Sequence, residues 1–318
     1  MTGSRVVALG HYQPERVLTN AELATMVETN DEWIQSRVGI RERRIAGPDE
    51  SVDEMAWRAA DKAIANAGLD VTEIDYVIVA TCTAIDRSPN IAARVAARLG
   101  LGNPAAIDLN TACSGFAYAL ATADQAIRAG AASKAIVIGV EKLSDWTDWT
   151  DRTTCVLIGD GAGAAVLVAD DDPAEGDLAG VGPVVWGSVP EMSDAVRIEG
   201  RDGPFQQEGL SVFRWATTQL PQIAQQVCEK AGLKPEELGG VVLHQANLRI
   251  IEPLAKRLGA VNAVVAKDVV ESGNTSAASI PIALSKLVEK REIPSGAPVL
   301  LFGFGGGLSY AGQVIRCP

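Results

Sequence analysis

The chain has little to hold a metal or a disulfide framework. Of 318 residues, 2 are histidine and 5 are cysteine. The cysteines (Cys82, Cys113, Cys155, Cys228, Cys317) are odd in number, widely spaced and without a CxxC pair. That pattern argues against a disulfide scaffold and a zinc site. No apolar run reaches the roughly 20 residues that a membrane helix requires. The N-terminus lacks the charged-then-apolar pattern of a secretory signal. The expected location is therefore cytoplasmic, and the sequon Asn274-Thr275-Ser276 is a chance match. Positive charge is also scarce, with 28 Lys and Arg against 40 Asp and Glu and a formal net charge of -12. A general nucleic-acid binder needs a basic face, and no Lys/Arg run supplies one.

What is present is a folding composition. Hydrophobic residues make up 47% and charged residues 21% of the chain, far from the disordered range. The length suits one large domain or two fused halves. With aromatics at only 5%, Ala and Val dominate, which favours close packing of helices on sheets. Short β-branched runs predict strands over 76–80, 105–109, 135–140, 164–168, 240–243, 263–266 and 299–304. Helical spacing predicts helices over 52–67, 91–99, 114–129, 212–231, 248–258 and 276–290. Apolar strands separated by helices indicate an α/β protein with buried sheets.

The sequence also echoes itself. Ile91-Ala-Ala-Arg-Val-Ala-Ala-Arg-Leu-Gly100 resembles Ile251-Glu-Pro-Leu-Ala-Lys-Arg-Leu-Gly259. Each follows a strand and precedes a second strand, a short loop and a helix rich in small residues. Such an echo implies a duplicated fold with a pseudo-twofold axis. The halves are expected at 1–172 and 173–318, joined in the acidic, turn-rich stretch 170–177.

In Asp108-Leu-Asn-Thr-Ala-Cys-Ser-Gly-Phe116 a cysteine follows a strand and opens a helix. A helix start offers free N–H groups and a positive dipole end, which favour a thiolate. The bland alternative for Cys113 is a small buried hydrophobe. His11 falls in a polar N-terminal loop with no evident partner. His244 ends an apolar strand, at the sheet edge where α/β enzymes build their sites. By the duplication, His244 and Cys113 converge on the pseudo-dyad, and Asn274 opens the helix that mirrors the Cys113 helix. An Asn that merely caps turns its side chain onto its own helix; a catalytic one points to the centre. Gly303-Phe-Gly-Gly-Gly-Leu308 lets backbone N–H groups approach a ligand closely. Gly159-Asp-Gly-Ala-Gly163 is GxGxG before a strand, so it reads as a structural turn and not as a dinucleotide site.

Together these residues resemble the ketoacyl-[acyl-carrier-protein] synthase III family of the thiolase superfamily. The resemblance runs along essentially the whole chain. It is carried by Asp31-Glu-Trp-Ile34 with Arg37 and Gly39-Ile40, Thr111-Ala-Cys-Ser-Gly115, Gly159-Asp-Gly-Ala-Gly-Ala-Ala165, His244-Gln-Ala-Asn-Leu-Arg-Ile-Ile251, Gly273-Asn-Thr-Ser-Ala-Ala-Ser279 and Phe304-Gly-Gly-Gly307. It implies a thiolase-like αβαβα fold of two five-stranded sheets, in a homodimer. It implies a ping-pong reaction in which Cys113 takes an acyl group from acyl-CoA and an enolate from malonyl-[acyl-carrier-protein] attacks it. His244 and Asn274 would donate hydrogen bonds to the enolate oxygen. The backbone N–H groups of Cys113 and Gly306 would form the oxyanion hole. Both thioesters are substrates, and no cofactor or metal is implied.

By the same resemblance Trp33 and Arg152 match a pair that sandwiches adenine, Arg37 meets phosphate and Asn247 meets the pantetheine arm. Arg249, Lys256 and Arg257 share one helix face, with Arg214 as a further candidate. Beside His244 they suit docking of an acidic carrier protein, although a solvated helix face would look the same. The loop Thr83-Ala-Ile-Asp-Arg-Ser-Pro89 lacks a bulky aromatic that some relatives carry, and Ser88 stands near that position. The acyl pocket is therefore expected to take primers longer or more branched than acetyl. The segment 186–202 is short and atypical. Two rivals are a related acyltransferase without carrier-dependent condensation and a non-catalytic scaffold. The complete Cys-His-Asn set argues against the scaffold.

Overall fold

The computed structural model describes residues 3–170, 180–200 and 202–318. Beyond Asp170, the expected join at 170–177 lies outside the described residues. The first half runs β1 (Gly3–Tyr12), α1 (Asp31–Val38), α2 (Val52–Ala67), β2 (Tyr76–Ala80), α3 (Ile91–Leu99), β3 (Ala105–Leu109), α4 (Gly115–Arg128), β4 (Lys134–Lys142) and β5 (Asp160–Asp170). The second runs β6 (Val185–Ser188), α5 (Gly209–Thr218), α6 (Leu220–Lys230), β7 (Gly240–Leu243), α7 (Leu248–Leu258), β8 (Val264–Val265), α8 (Ser279–Glu289), β9 (Pro298–Gly305) and β10 (Ser309–Arg316).

Two five-stranded sheets result, ordered β1-β5-β4-β2-β3 and β6-β10-β9-β7-β8. Their orders correspond strand for strand. In the first, β2 is parallel to β3 and β4, while β5 is antiparallel to β4 and β1. In the second, β7 is parallel to β8 and β9, while β10 is antiparallel to β9 and β6. Three buried clusters separate five layers. Met55, Ala59 and Val95 of α2 and α3 pack on Val79 and Ile138 at the outer face of the first sheet. Phe116 and Leu120 of α4 and Ile280 and Leu284 of α8 lie between Val137 and Leu301 of the two sheets. Trp215, Val227 and Leu254 of α5–α7 cover Leu300 and Phe302 on the far face. The expected αβαβα layering is present. Among the described residues no helix is long and apolar enough to cross a membrane.

The two echoed helices are built alike. In α3 the Asn90 side chain accepts from Ala93 N–H and Gly100 closes the helix at φ 74. In α7 Asn247 accepts from Arg249 N–H and Gly259 closes it at φ 87. An Asn cap of this kind stabilises a helix by about 1 kcal/mol, and a left-handed terminal residue suits Gly.

Several expectations are corrected. β1, β6 and β10 have no counterpart among the predicted strands. His11 is not in a loop: it lies in β1 opposite Gly163, and its Nδ1 is 2.8 Å from Ser285 Oγ. The span 212–231 is two helices because Pro221, at the start of α6, has no N–H to continue the first one. The GxGxG segment is not a turn; from Asp160 it is the start of β5. The strand expected at 263–266 is only the two residues of β8.

Candidate active site

Cys113 occupies a turn with a counterpart in the other half. After β3 the chain turns through Ala112 at φ 47, makes one 3-10 turn over Ala112–Ser114 and enters α4. After Gly273 it turns through Ser276 at φ 46, makes the same short turn over Ser276–Ala278 and enters α8. A left-handed conformation costs a residue with a Cβ about 1–2 kcal/mol, so both turns must be held from outside. Each leans on a bare strand of the opposite half. A Cβ on Gly139 of β4 would lie 2.3 Å from Ala277 O, and one on Gly303 of β9 would lie 2.9 Å from Ser114 Cα. The cysteine side chain itself meets Gly305, where a Cβ would lie 2.6 Å from Cys113 Cβ and 2.8 Å from its sulfur. The glycine run is thus less a loop than a seat: β9 continues through Gly305, and only then does the chain turn.

The Gly306 and Cys113 N–H groups and the Ser276 side chain act to lower the Cys113 pKa. These favour the thiolate, as expected for a helix start. Burial outweighs them: with 8% exposure, the thiol is pushed up to about 11, and the Glu141 carboxylate adds to the rise. The Cys113 side chain therefore rests as a thiol in spite of its place at a helix start.

His244 follows β7, its N–H bonded to Phe302 O at 2.9 Å. Its ring meets the Phe304 ring edge-on, with centroids 5.4 Å apart. Nδ1 lies 2.8 Å from Ser279 Oγ, and that oxygen accepts the Gln245 N–H at 3.2 Å. A Ser279 hydroxyl that donates to Nδ1 leaves the ring proton on Nε2. Burial holds the His244 pKa down at about 3, so the ring is a neutral donor. Asn274 is tied by Leu157 O accepting its N–H at 2.7 Å and by its own carbonyl accepting the Gly159 N–H at 3.0 Å. Its side chain does both things that the sequence set as alternatives. Oδ1 turns back to accept Ser276 N–H at 2.9 Å, while the residue lines the cavity that holds Cys113 and His244. The amide Nδ2 is left as the donor.

Two cavities meet at Cys113. One, of about 350 Å³, is lined by Trp33, Arg37, Asn247, His244, Asn274 and Cys113 among others. The other, of about 440 Å³, is lined by Cys82, Asn110, Thr111, Arg197, Ser276 and Cys113 among others. Val196 and Phe205 also border both, so the atypical 186–202 segment supplies part of the wall. Ser88 is exposed and lines neither cavity; Cys82 stands at the second one instead.

The remaining expected residues divide. Trp33, Arg37, Asn247 and Arg249 border the first cavity. Arg152 lies over the Trp33 ring, 5.0 Å from its centroid, and donates to Glu28 O. That separation is closer than that of two groups holding a base between them. Arg249 of α7 sits over Phe213 of α5, 5.9 Å from the ring centroid, and Arg257 donates to Thr217 O. Lys256 is exposed on α7. Arg214 borders a separate groove with Leu210 and Trp215, so it neighbours the first cavity without lining it.

Sequence reasoning missed Ser279, Ser276, Cys82 and Glu141. Both serines stand inside a quoted motif, but helical spacing says nothing of which hydroxyl meets which ring. Glu141 had a signal: it is a carboxylate closing the apolar run Ile136-Val-Ile-Gly-Val-Glu141.

The comparisons with known proteins give the family. The family described as 3-Oxoacyl-[acyl-carrier-protein (ACP)] synthase III matches residues 107–183, and its C-terminal counterpart matches residues 228–317. Beta-ketoacyl-[acyl-carrier-protein] synthase III 4 of Streptomyces coelicolor is 69% identical, with 99% of each chain covered. Beta-ketoacyl-[acyl-carrier-protein] synthase III 2 of Streptomyces avermitilis is 70% identical over 100% of both. Among solved structures, the priming beta-ketosynthase from the R1128 polyketide biosynthetic pathway superposes with a TM-score of 0.95 at 40% identity, covering 99% of this chain and 96% of that one. The 3-oxoacyl-[acyl-carrier-protein] synthase III of Aquifex aeolicus gives 0.92 at 40% identity, covering 99% and 100%. The fold is the thiolase fold, and the chain belongs to the 3-oxoacyl-[acyl-carrier-protein] synthase III family, as a condensing enzyme and acyltransferase of that type.

Proposed function

We propose that the chain starts acyl chains by joining an acyl-CoA primer to malonyl-[acyl-carrier-protein], with Cys113 as the acyl carrier. One observation carries this reading: Cys113 stands where two cavities meet, and His244 and Asn274 line the first of them. A thioester there can store its acyl tail in one cavity while the other receives the second substrate. In the first step the Cys113 sulfur attacks the primer carbonyl, the bond to CoA breaks, and the CoA thiolate takes the proton. The N–H groups of Cys113 and Gly306 hold the developing oxyanion. In the second step malonyl thioester loses CO₂, and the electrons of the broken C–C bond form an enolate. His244 Nε2–H and Asn274 Nδ2–H hydrogen-bond its oxygen. The enolate carbon attacks the Cys113 thioester, a C–C bond forms, and the Cys113 thiolate leaves.

Trp33, Arg37, Arg152 and Asn247 are assigned to CoA and the pantetheine arm. Arg249, Lys256 and Arg257, with Arg214 nearby, are assigned to the acidic carrier protein. No cofactor is needed. The second cavity lacks a large aromatic apart from Phe205, which supports primers longer or more branched than acetyl. A cytoplasmic enzyme fits five free cysteines. A homodimer built on β3 fits an edge strand whose Ile107 is 38% exposed beside a loop with Ile85 at 71%.

Mass spectrometry after incubation with acetyl-, isobutyryl- and longer acyl-CoAs tests the reading. The expected result is an acyl adduct on Cys113 that disappears, with CO₂ release, when malonyl-[acyl-carrier-protein] is added. Absence of an adduct with every primer would sink it. Turnover with acetyl-CoA alone would sink the primer assignment.

A further inference from the structure

Glu141 is the penultimate residue of β4, with no surface exposed, and the chemistry above makes no use of it. A buried carboxylate is costly unless its oxygens are satisfied. Here they are, entirely by donors. Thr83 Oγ1 donates at 2.7 Å, Thr81 Oγ1 at 3.1 Å and Cys82 N–H at 3.1 Å to Oε2. Ser276 Oγ donates at 3.1 Å and Cys82 Sγ at 3.3 Å to Oε1. Four of these groups belong to the loop that follows β2. The fifth, Ser276, belongs to the other half of the chain.

That fifth bond has a direction. Ser276 is the left-handed residue of the turn after Asn274, and its N–H holds Asn274 Oδ1 at 2.9 Å. β4 thus contributes twice to one turn: Gly139 gives it a seat, and Glu141, two residues on along the same face of the strand, grips its hydroxyl. Without the carboxylate the Ser276 hydroxyl loses its buried acceptor. The strained turn is then free to relax, and the amide that it orients turns with it.

We infer that Glu141 is a positioning residue for carbon–carbon bond formation, setting the Asn274 amide through the Ser276 hydroxyl and backbone. This rests on the assignment of Asn274 as an enolate donor, and the test separates the two. The half-reactions are measured apart: Cys113 acylation by acyl-CoA, and single-turnover CO₂ release from malonyl-[acyl-carrier-protein] by the acylated enzyme.

Glu141→Ala is expected to slow CO₂ release by about tenfold or more while acylation is not slowed, because the carboxylate that helps hold the Cys113 thiol protonated is gone. Ser276→Ala should slow CO₂ release likewise. Glu141→Gln should restore most of the rate. Its Oε1 can still accept from Ser276, and its NH₂ can donate to Thr81 and Thr83 hydroxyls that rotate to accept. In an Asn274→Ala background, Glu141→Ala should cost less than about twofold, because a residue acting through Asn274 has nothing left to act on. Equal losses in both half-reactions, or an undiminished loss in the Asn274→Ala background, would overturn the inference and leave the function standing. If Asn274→Ala alone released CO₂ at the parent rate, the role of Asn274 would fall, and the inference with it.

Discussion

Single residues set the protonation states of the site. Cys113 rests as a thiol because burial and a neighbouring carboxylate oppose its charge, with a pKa pushed up to about 11. Alkylation by iodoacetamide should therefore accelerate by about tenfold per unit from pH 7 to 10, with no plateau in that range. A plateau near neutrality would show a thiolate at rest. His244 is displaced in the other direction, from 6.5 to about 3, so CO₂ release should show no acid limb from this residue between pH 5 and 8. The sign for stability follows from proton counts. The unfolded chain binds a proton at His244 that the folded one refuses, so its contribution is full above pH 6.5 and is lost as pH falls from there towards 3. Urea midpoints should drop over that window, and less steeply in His244→Asn. Ser279→Ala removes the hydroxyl that faces Nδ1 of the ring. It should slow CO₂ release by about tenfold while leaving acylation near the parent rate.

Much at this scale was legible. Cys113, His244 and Asn274 could be picked out because their residue types and element ends carry chemical meaning. Glu141 and Ser279 could not be assigned, since each gains its role only from a partner 135 or 35 residues away. The raised pKa of Cys113 was not legible, because a helix start is visible in sequence whereas the depth of burial is not.

At the scale of elements, legibility followed hydrophobic pattern. α3 and α7 lie at the predicted positions because Asn caps, Gly ends and amphipathic spacing all agree. β10 was missed because Ser-Tyr-Ala-Gly-Gln-Val-Ile-Arg breaks the apolar run with Gly and with Gln313, which is wholly buried. β1 mixes Gly, Ser, Arg and His, and is a strand because β5 pairs along its length. The cationic face of α7 leads to a prediction at the same scale. Arg249→Glu should raise KM for malonyl-[acyl-carrier-protein] by about tenfold or more, with a weaker salt dependence. A change in kcat alone would place Arg249 outside the docking surface.

For the molecule as a whole, the duplication was visible as a nine-residue echo and became two sheets of matching strand order. Its dimensions were not legible, because the fit between halves depends on Gly139, Gly303 and Gly305 meeting turns more than 100 residues away. Edge strand β3 makes the oligomer testable. Ile107→Lys should shift sedimentation from dimer to monomer, and a parent that sediments as a monomer would remove the homodimer from the reading.

The paired left-handed turns have one more consequence. Ala277 stands in its turn where Cys113 stands in the other, pressed on Gly139 as Cys113's turn is pressed on Gly303. The chain therefore contains two architecturally equivalent berths, with a cysteine in one and an alanine in the other. The other berth is not idle, because its turn presents an amide in place of a thiol. An internal symmetry thus ends in two different displays, in which the same bend of backbone carries a thiol on one side and an amide on the other.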